Sequence, residues 1–428
     1  MRPAAPAFAG IAVALAACAP APAPPATNAV LVSLDTVRAD RLGAFGCPLG
    51  TTPHLDRLAR RSTQFARCIA QAASTLPSHR ALFQSRPASQ VGAELPMLAE
   101  ILQEAGLRAV AFTGGGNVAG ELGFARGFER YEESDLGLGW SADQLGAFLD
   151  QTGGAPFFAF LHGYDAHVPY DPPSPYDGLY DPGYSGPVTG PETRALCRAL
   201  RGLEAGEAPI LDDADRRHLV ALYEGAIRAL DARFGRLVRL LESRGLDEST
   251  LVAVTSDHGE EFWDHGSLLH SHTVHGELVH VPLILAVPGA APRLIGKTVR
   301  SLDIAPTVLE ALGLPPAPSH QGRSLLAAAH GAPIEPAAAP SEMGPWKALE
   351  SERWKVIAHT AQGTLSMYDL ARDPGETRDV GPASAANAER GAALGRELAG
   401  LVGAAPVREL DAASPELTER LRALGYVE

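Results

Sequence analysis

Asp257 and His258 stand side by side just after an apolar run, Leu251 to Thr255. A carboxylate and an imidazole placed together offer one oxygen and one nitrogen ligand to a divalent ion. Asp35 closes a second apolar run, Asn28 to Leu34, and adds another carboxylate. Buried aspartates at strand ends also cap helices, so each of these residues alone is open to a structural reading. Thr75 begins a predicted helix, where free backbone N–H groups and the positive dipole end favour an anionic ester. Its hydroxyl is inert at neutral pH unless a metal lowers its pKa or a base takes its proton. Otherwise Thr75 merely caps the helix. Asp165-Ala166-His167 sets a carboxylate and an imidazole on either side of one residue. That arrangement suits protonation of a leaving group or contact with transferring oxygens. The stretch from His265 to His280 is a metal tract by composition. Within it His270 and His272 alternate onto one side of an extended segment. This favours substrate or leaving-group contacts for one or two of His270, His272 and His275, and solvent for the rest.

These residues need elements to hold them. Asn28 to Leu34, Ala109 to Phe112, Pro156 to Leu161, Leu251 to Thr255 and Val281 to Val287 read as buried strands. Thr52-Pro53 opens a helix carrying Leu55, Leu58 and Phe65, with Thr as N-cap and Pro in the first turn. Further helices are expected over Pro77 to Phe83, Pro96 to Ala105, Asp212 to Arg244 and Asp303 to Leu312. Strands alternating with helices indicate an α/β fold, a mostly parallel central sheet sandwiched by helices. Ligands gather at the carboxyl ends of such strands, which is where Asp35, His167, Asp257 and His258 fall. Residues 330–340 are rich in Ala and Pro and resemble a linker. Beyond them, Trp354 to Ala358 and Leu365 to Leu370 pair as a predicted hairpin, followed by a C-terminal helix. The expected organisation is a catalytic domain over residues 28–330 and a smaller α+β subdomain over residues 341–428.

The chain has 428 residues and a formal net charge of −14. That length supports one large domain and an appendage. The acidic balance leaves no basic face for phosphates, which excludes a nucleic-acid partner. Residues 1–27 read as a processing segment and spacer. Phe8 to Leu15 is apolar but too short to span a bilayer, and Leu15-Ala16-Ala17-Cys18 resembles a bacterial lipobox. An acylated Cys18 would anchor the exported protein, periplasmic or at the cell surface, with Ala19 to Thr27 as a stiff Pro/Ala spacer. An ordinary cleaved signal with an incidental Cys is the alternative. An oxidising compartment permits a Cys47–Cys68 bridge, and plain buried thiols fit equally well.

Taken in order, the segments resemble the sulfatase family of the alkaline phosphatase superfamily over nearly the whole mature length. The resemblance rests on nine pieces: Ser33 to Asp40, Thr52 to Ala59, Thr75 to His79, His162 to Tyr170, Thr255 to Glu260, His280 to Ile284, Asp303 to Thr307, Gly322 to Leu325 and Tyr368 to Pro374. It implies an alkaline phosphatase-like fold, an anionic ester substrate, and metal ligation by Asp35, Asp257 and His258. It further implies Thr75 as a metal-activated nucleophile forming a covalent intermediate and itself reaching the metal, His167 as a catalytic or anion-contacting residue, and His272 as an anion contact. Two departures stand out. Sulfatases carry Cys or Ser in a Cys-x-Pro-x-Arg signature and convert it to formylglycine; here the residue is Thr75, and His79 occupies the Arg position. A formylglycine hydrate expels sulfate through its second hydroxyl, a route closed to a sulfated Thr, whereas a phosphorylated Thr yields to in-line attack by water. Thr36 replaces a metal-binding Asp. The family implies one Ca²⁺, while the reduced carboxylate count favours Zn²⁺ or Mn²⁺.

The leading expectation is a metal-dependent hydrolase of sulfate or phosphate esters. A transferase of phospho-substituents to a surface glycan or lipid is the second reading. A non-catalytic surface-binding lipoprotein is the third, disfavoured because Asp35, Thr75, Asp257 and His258 are all present.

Overall fold

Seven consecutive buried residues, Asn28–Leu34, form a strand covered on both faces, β1. The computed structural model describes residues 26–203 and 209–403, together with Ser414 and Leu417. The expected signal and the lipid anchor at Cys18 lie outside the described residues. Ala26 and Thr27, the end of the expected spacer, are already tied to the domain through the carbonyls of Ala311 and Ser249, both at 2.8 Å. No helix among the described residues is long and apolar enough to cross a membrane.

After β1 come Thr63–Ile69 (β2), Arg108–Thr113 (β3), Arg130–Glu133 (β4), Phe157–Gly163 (β5) and Thr250–Thr255 (β6). The short pair Glu261–Phe262 (β7) and Leu268–Leu269 (β8) precedes His280–Ala286 (β9) and Arg293–Arg300 (β10). Eight strands form one sheet in the order β10-β2-β9-β6-β1-β5-β3-β4. Every neighbouring pair is parallel except those that β9 makes with β2 and β6. Alternation along β1 feeds two cores. Val30, Val32 and Leu34 pack with Leu219, Tyr223 and Phe234 of the long helix Asp213–Ser243 on one face. Ala29 and Leu31 pack with Leu82, Phe83 and Val308 on the other. This is the expected mostly parallel sheet between helices.

One expected helix is shorter than its apolar spacing suggested. Pro53–Arg60 is helical, but Phe65 belongs to β2, where it is fully buried. Thr52 precedes the helix as expected, yet its side chain caps nothing; its hydroxyl donates to Asp56 at 2.9 Å. The cap comes from across the fold. Asp231, buried on the long helix, accepts the backbone N–H groups of His54 at 3.0 Å and Leu55 at 2.8 Å. Asp231→Ala removes both acceptors and is expected to destabilise the protein by about 1–3 kcal/mol, with Asp231→Asn losing much less. Denaturant unfolding of the three proteins checks this; equal midpoints would mean the cap contributes nothing.

The C-terminal part is a second sheet of Ala339–Met343 (β11), Trp346–Glu350 (β12), Trp354–His359 (β13) and Thr364–Asp369 (β14), antiparallel throughout. The hairpin expected from β13 and β14 is its outer half. β11 starts at Ala339, inside the stretch read as linker. The helix Ala385–Leu401 covers this sheet through Leu398. Ile69, Ala73, Leu278 and Val279 of the large domain meet Ala339, Met343, Ile357 and Tyr368 in one shared core, so the two sheets are joined through apolar contact. Cys47, Cys68 and Cys197 are all free buried thiols.

Candidate active site

Three adjacent parallel strands deliver the site. β1 hands on to Asp35, β6 to Ser256, Asp257 and His258, and β5 carries His162 near its end. Ser33 pairs with Thr255 on one side and His162 on the other, so all three strands open at the same carboxyl edge. The helix Thr75–Gln84 is pinned over this edge twice. Ser78 donates its hydroxyl to the Asp257 carbonyl at 2.7 Å, and His79 Nε2 meets the Ser33 hydroxyl at 2.9 Å. Thr75 is the first helical residue, after Ser74. Its hydroxyl therefore sits at the positive end of the helix dipole.

Asp35, Asp257 and His258 are buried, with ligand atoms within 4.8 Å of one another. Thr75 Oγ1 lies 3.4 Å from Asp35 Oδ2 and 3.2 Å from His258 Nε2. His258 donates Nδ1–H to the Gly259 carbonyl at 2.8 Å, which turns Nε2 toward the group, where an ion would take the place of a proton. His162 donates Nε2–H to Asp35 Oδ2 at 3.0 Å and orients that carboxylate. Asp35 Oδ1 and Asp257 Oδ2 are buried with no hydrogen-bond partner among the described residues. Burial and the adjacent Asp257 push Asp35 well above the usual carboxylate range. Burial acts the same way on Asp257, but His258, itself raised against burial by Asp257 and Asp35, outweighs it and holds Asp257 low. Converging carboxylates with unmet oxygens, beside an imidazole nitrogen, fit a divalent cation.

Thr36 shows how the missing carboxylate is replaced. Its φ is 59°, and its hydroxyl donates to the Asp35 carbonyl at 2.7 Å rather than facing the ligand group. Its backbone N–H points to Asp257 Oδ1 at 3.3 Å, so this position orients a ligand instead of being one. His79 is likewise no substitute cation for the signature Arg. It donates Nδ1–H to the Thr75 carbonyl at 2.8 Å, and burial pushes it down to about 4, neutral at neutral pH. Burial takes His162 to about 4 as well.

His167 donates Nδ1–H to the Val168 carbonyl at 2.8 Å, and its ring centroid is 5.2 Å from that of His270. The His270 ring lies 4.4 Å from His258. Glu260 accepts His270 Nδ1–H and the Tyr170 hydroxyl, each at 2.8 Å. His272 turns away: Nε2 meets Glu261 at 2.6 Å and Nδ1 meets the His270 carbonyl at 3.0 Å. The place beside the ligand group is taken by His270. His270→Ala is expected to lower kcat/KM by about two orders of magnitude and His272→Ala by less than tenfold. Steady-state kinetics on both variants decides, and the reverse ranking would restore His272 as the anion contact.

His162 and Glu260 went unassigned in the sequence although both lie in matched segments. His162 ends an uninterrupted apolar run, where a lone polar residue at a strand terminus is itself a signal. Glu260 gave none, because its partners Tyr170 and His270 are remote in sequence.

A carboxyl-edge cluster of this kind, on a mostly parallel sheet joined to a small antiparallel one, lies where enzymes of the α/β class bind their ligands. The sulfatase family model matches residues 27–314, and the chain belongs to that family. It is 31% identical over 199 residues to the multifunctional alkaline phosphatase superfamily protein PehA of Trinickia caryophylli. That alignment covers 42% of this chain and only 38% of PehA. It is 22% identical over 415 residues to the Δ4,5-hexuronate-2-O-sulfatase of Bacteroides thetaiotaomicron, covering 82% of this chain and 84% of that one. Among solved structures, the phosphonate monoester hydrolase of Agrobacterium radiobacter superposes with a TM-score of 0.73 at 22% identity, over 88% of this chain and 95% of the other.

Proposed function

We propose that the chain hydrolyses anionic sulfate or phosphorus esters, with Thr75 as the nucleophile. The observation that carries this reading is the place of Thr75 Oγ1, 3.2 Å from His258 and 3.4 Å from Asp35 within a buried group that fits a cation. Asp35, Asp257 and His258 would hold the divalent ion, which supplies positive charge that lowers the hydroxyl pKa and meets charge on the transferring oxygens. Oγ1 attacks the phosphorus or sulfur as the bond to the leaving oxygen breaks. Burial keeps His270 and His167 neutral, so these two, close together on the same side, are proposed to take up the Thr75 proton and return it to that oxygen. Water then attacks the same centre and frees Thr75.

The chemistry of Thr favours phosphorus esters. A phosphorylated or phosphonylated Thr opens by in-line attack of water, whereas a sulfated Thr lacks the second hydroxyl that drives sulfate out of formylglycine. The phosphonate monoester hydrolase with the same fold supports this side. The hexuronate-2-O-sulfatase supports the sulfate side. Assays of metal-loaded protein against aryl sulfate, phosphate monoester, phosphodiester and phosphonate monoester test the proposal. Faster turnover of phosphorus esters is expected. Sulfate ester as the sole substrate would overturn the preference, and turnover of none would overturn hydrolysis in favour of transfer or binding.

A further inference from the structure

The His-rich stretch contains a group that the proposed active site does not use. His265, His275 and Glu277 offer three ligand atoms within 4.8 Å of one another, on the side where the large domain meets the C-terminal sheet. His265 Nδ1 is hydrogen-bonded to Glu277 Oε1 at 2.8 Å, so an ion entering here would take the place of that proton. The outer nitrogens are already engaged. His265 Nε2 donates to the Glu376 carbonyl at 3.2 Å, and His275 Nδ1 meets the Thr273 hydroxyl at 2.9 Å. Each imidazole is thus held from behind, which leaves Nδ1 of His265, paired with Glu277, and Nε2 of His275 as the nitrogens an ion would use, as in metal sites whose histidines are fixed by carbonyl or hydroxyl partners. The rings stack at 3.7 Å and 15°, and sharing an ion requires only that they splay by side-chain rotation.

Surrounding groups suit the same role. Lys355, fully buried on β13, is paired with both oxygens of Glu376 at 2.8 and 3.0 Å. Burial and the remaining Lys355 charge together keep His275 neutral, the form that ligates. Glu376 is buried and held at φ 55°, an unfavourable conformation for a non-glycine residue, while its carbonyl faces His265. His265, His275 and Glu277 are themselves half-buried, which leaves room for water as a fourth ligand.

We propose that His265, His275 and Glu277 form a second metal site, selective for Zn²⁺, that cross-links the two ends of the segment 265–277. Two imidazoles and one carboxylate with an open position are a zinc ligand set rather than a calcium one. The segment so fixed carries His270. The next residue, Leu278, accepts through its carbonyl the Gly259 N–H at 2.8 Å, one residue from His258. Occupancy would therefore steady the wall of the active site.

The test uses the full chain, stripped with chelator, reloaded with Zn²⁺ and desalted, with metal counted by mass spectrometry. Two equivalents are expected for the wild type, one for Asp257→Ala, one for His275→Ala and none for the double variant. His275→Gln and Glu277→Gln, nearer in volume, should each lose the same equivalent, and chelated melts matching the wild type show that the fold is kept. If the His275 and Glu277 variants keep as much zinc as the wild type, the second site is overturned. If Asp257→Ala binds none, it is overturned as well. One equivalent in the wild type, kept by Asp257→Ala and lost by His275→Ala, would uphold this site while sinking the metal reading of the active centre.

Discussion

Thr75→Ala is expected to lower kcat/KM by about three orders of magnitude or more while leaving the fold and metal content unchanged. The side chain is buried, so its loss removes one methyl and one hydroxyl from the first turn of a helix whose anchors are Ser78 and His79. Stability should fall by no more than about 1–2 kcal/mol. Activity should collapse because no neighbouring hydroxyl takes over. Thr36 directs its hydroxyl to the Asp35 carbonyl, and Ser78 directs its own to Asp257. Removal of a covalent nucleophile typically leaves only the residual catalysis due to charge stabilisation and binding. Thr75→Ser keeps the attacking oxygen and is expected to retain activity within about tenfold. Quenched reactions with a slow substrate should show Thr75 carrying the transferred group by peptide mass. Full activity in Thr75→Ala would remove Thr75 from the chemistry. A formylglycine mass at any residue would overturn the explanation of why Thr stands where the family carries Cys or Ser.

How far the site was legible follows from how each residue is held. Asp35, Asp257 and His258 could be read because each follows an apolar strand, and neighbouring parallel strands bring such ends together whatever the details. His270 and His272 could not be ranked, because strict alternation places both on one side. Leu269 and Ser271 in fact adopt φ of 65° and 64°, so the segment is not extended and the two imidazoles part company. Phe65 was drawn into the preceding helix by its spacing from Leu55 and Leu58, whereas pairing with β9 and β10 decides its state. β10 is unmarked in the sequence for a related reason. It is an edge strand whose first five residues are largely solvent-facing, so no apolar run marks it. β11 is hidden by composition: Ala339 and Pro340 read as the end of a linker until Ala339 is paired with Glu350 and Met343 with Trp346 across the ladder. Local pattern located the strand ends that carry chemistry. Long-range pairing decided the rest.

Removal of the divalent ion is the second large effect expected. Chelation should abolish turnover, by at least about three orders of magnitude, and readdition should restore it. The structural reason is that Asp35 Oδ1 and Asp257 Oδ2 are buried without hydrogen-bond partners among the described residues, so their charge is met by a cation or by protons. Stability should respond as well. Metal about a thousandfold above its Kd stabilises the native state by about 4 kcal/mol, which predicts a rise in melting temperature on the order of 5 °C. Asp257→Ala separates this effect from any ion bound elsewhere. It removes one ligand, and with it the carboxylate that Thr36 N–H orients, and should abolish both turnover and the greater part of the metal-dependent rise. Asp257→Asn keeps the shape and one acceptor oxygen but not the charge, so it should fold like the wild type in chelator yet remain inactive in excess metal. Calorimetric melts with and without Zn²⁺, Mn²⁺ and Ca²⁺, read alongside turnover, also rank the ions. A response to Zn²⁺ or Mn²⁺ exceeding that to Ca²⁺ is expected from an imidazole ligand and only two carboxylates, with Thr36 contributing none. Undiminished activity after exhaustive chelation would show that Asp35, Asp257 and His258 act without an ion. Their two unmet oxygens would then have to share a proton, with His258 Nε2, 3.2 Å from Thr75 Oγ1, acting directly as the base.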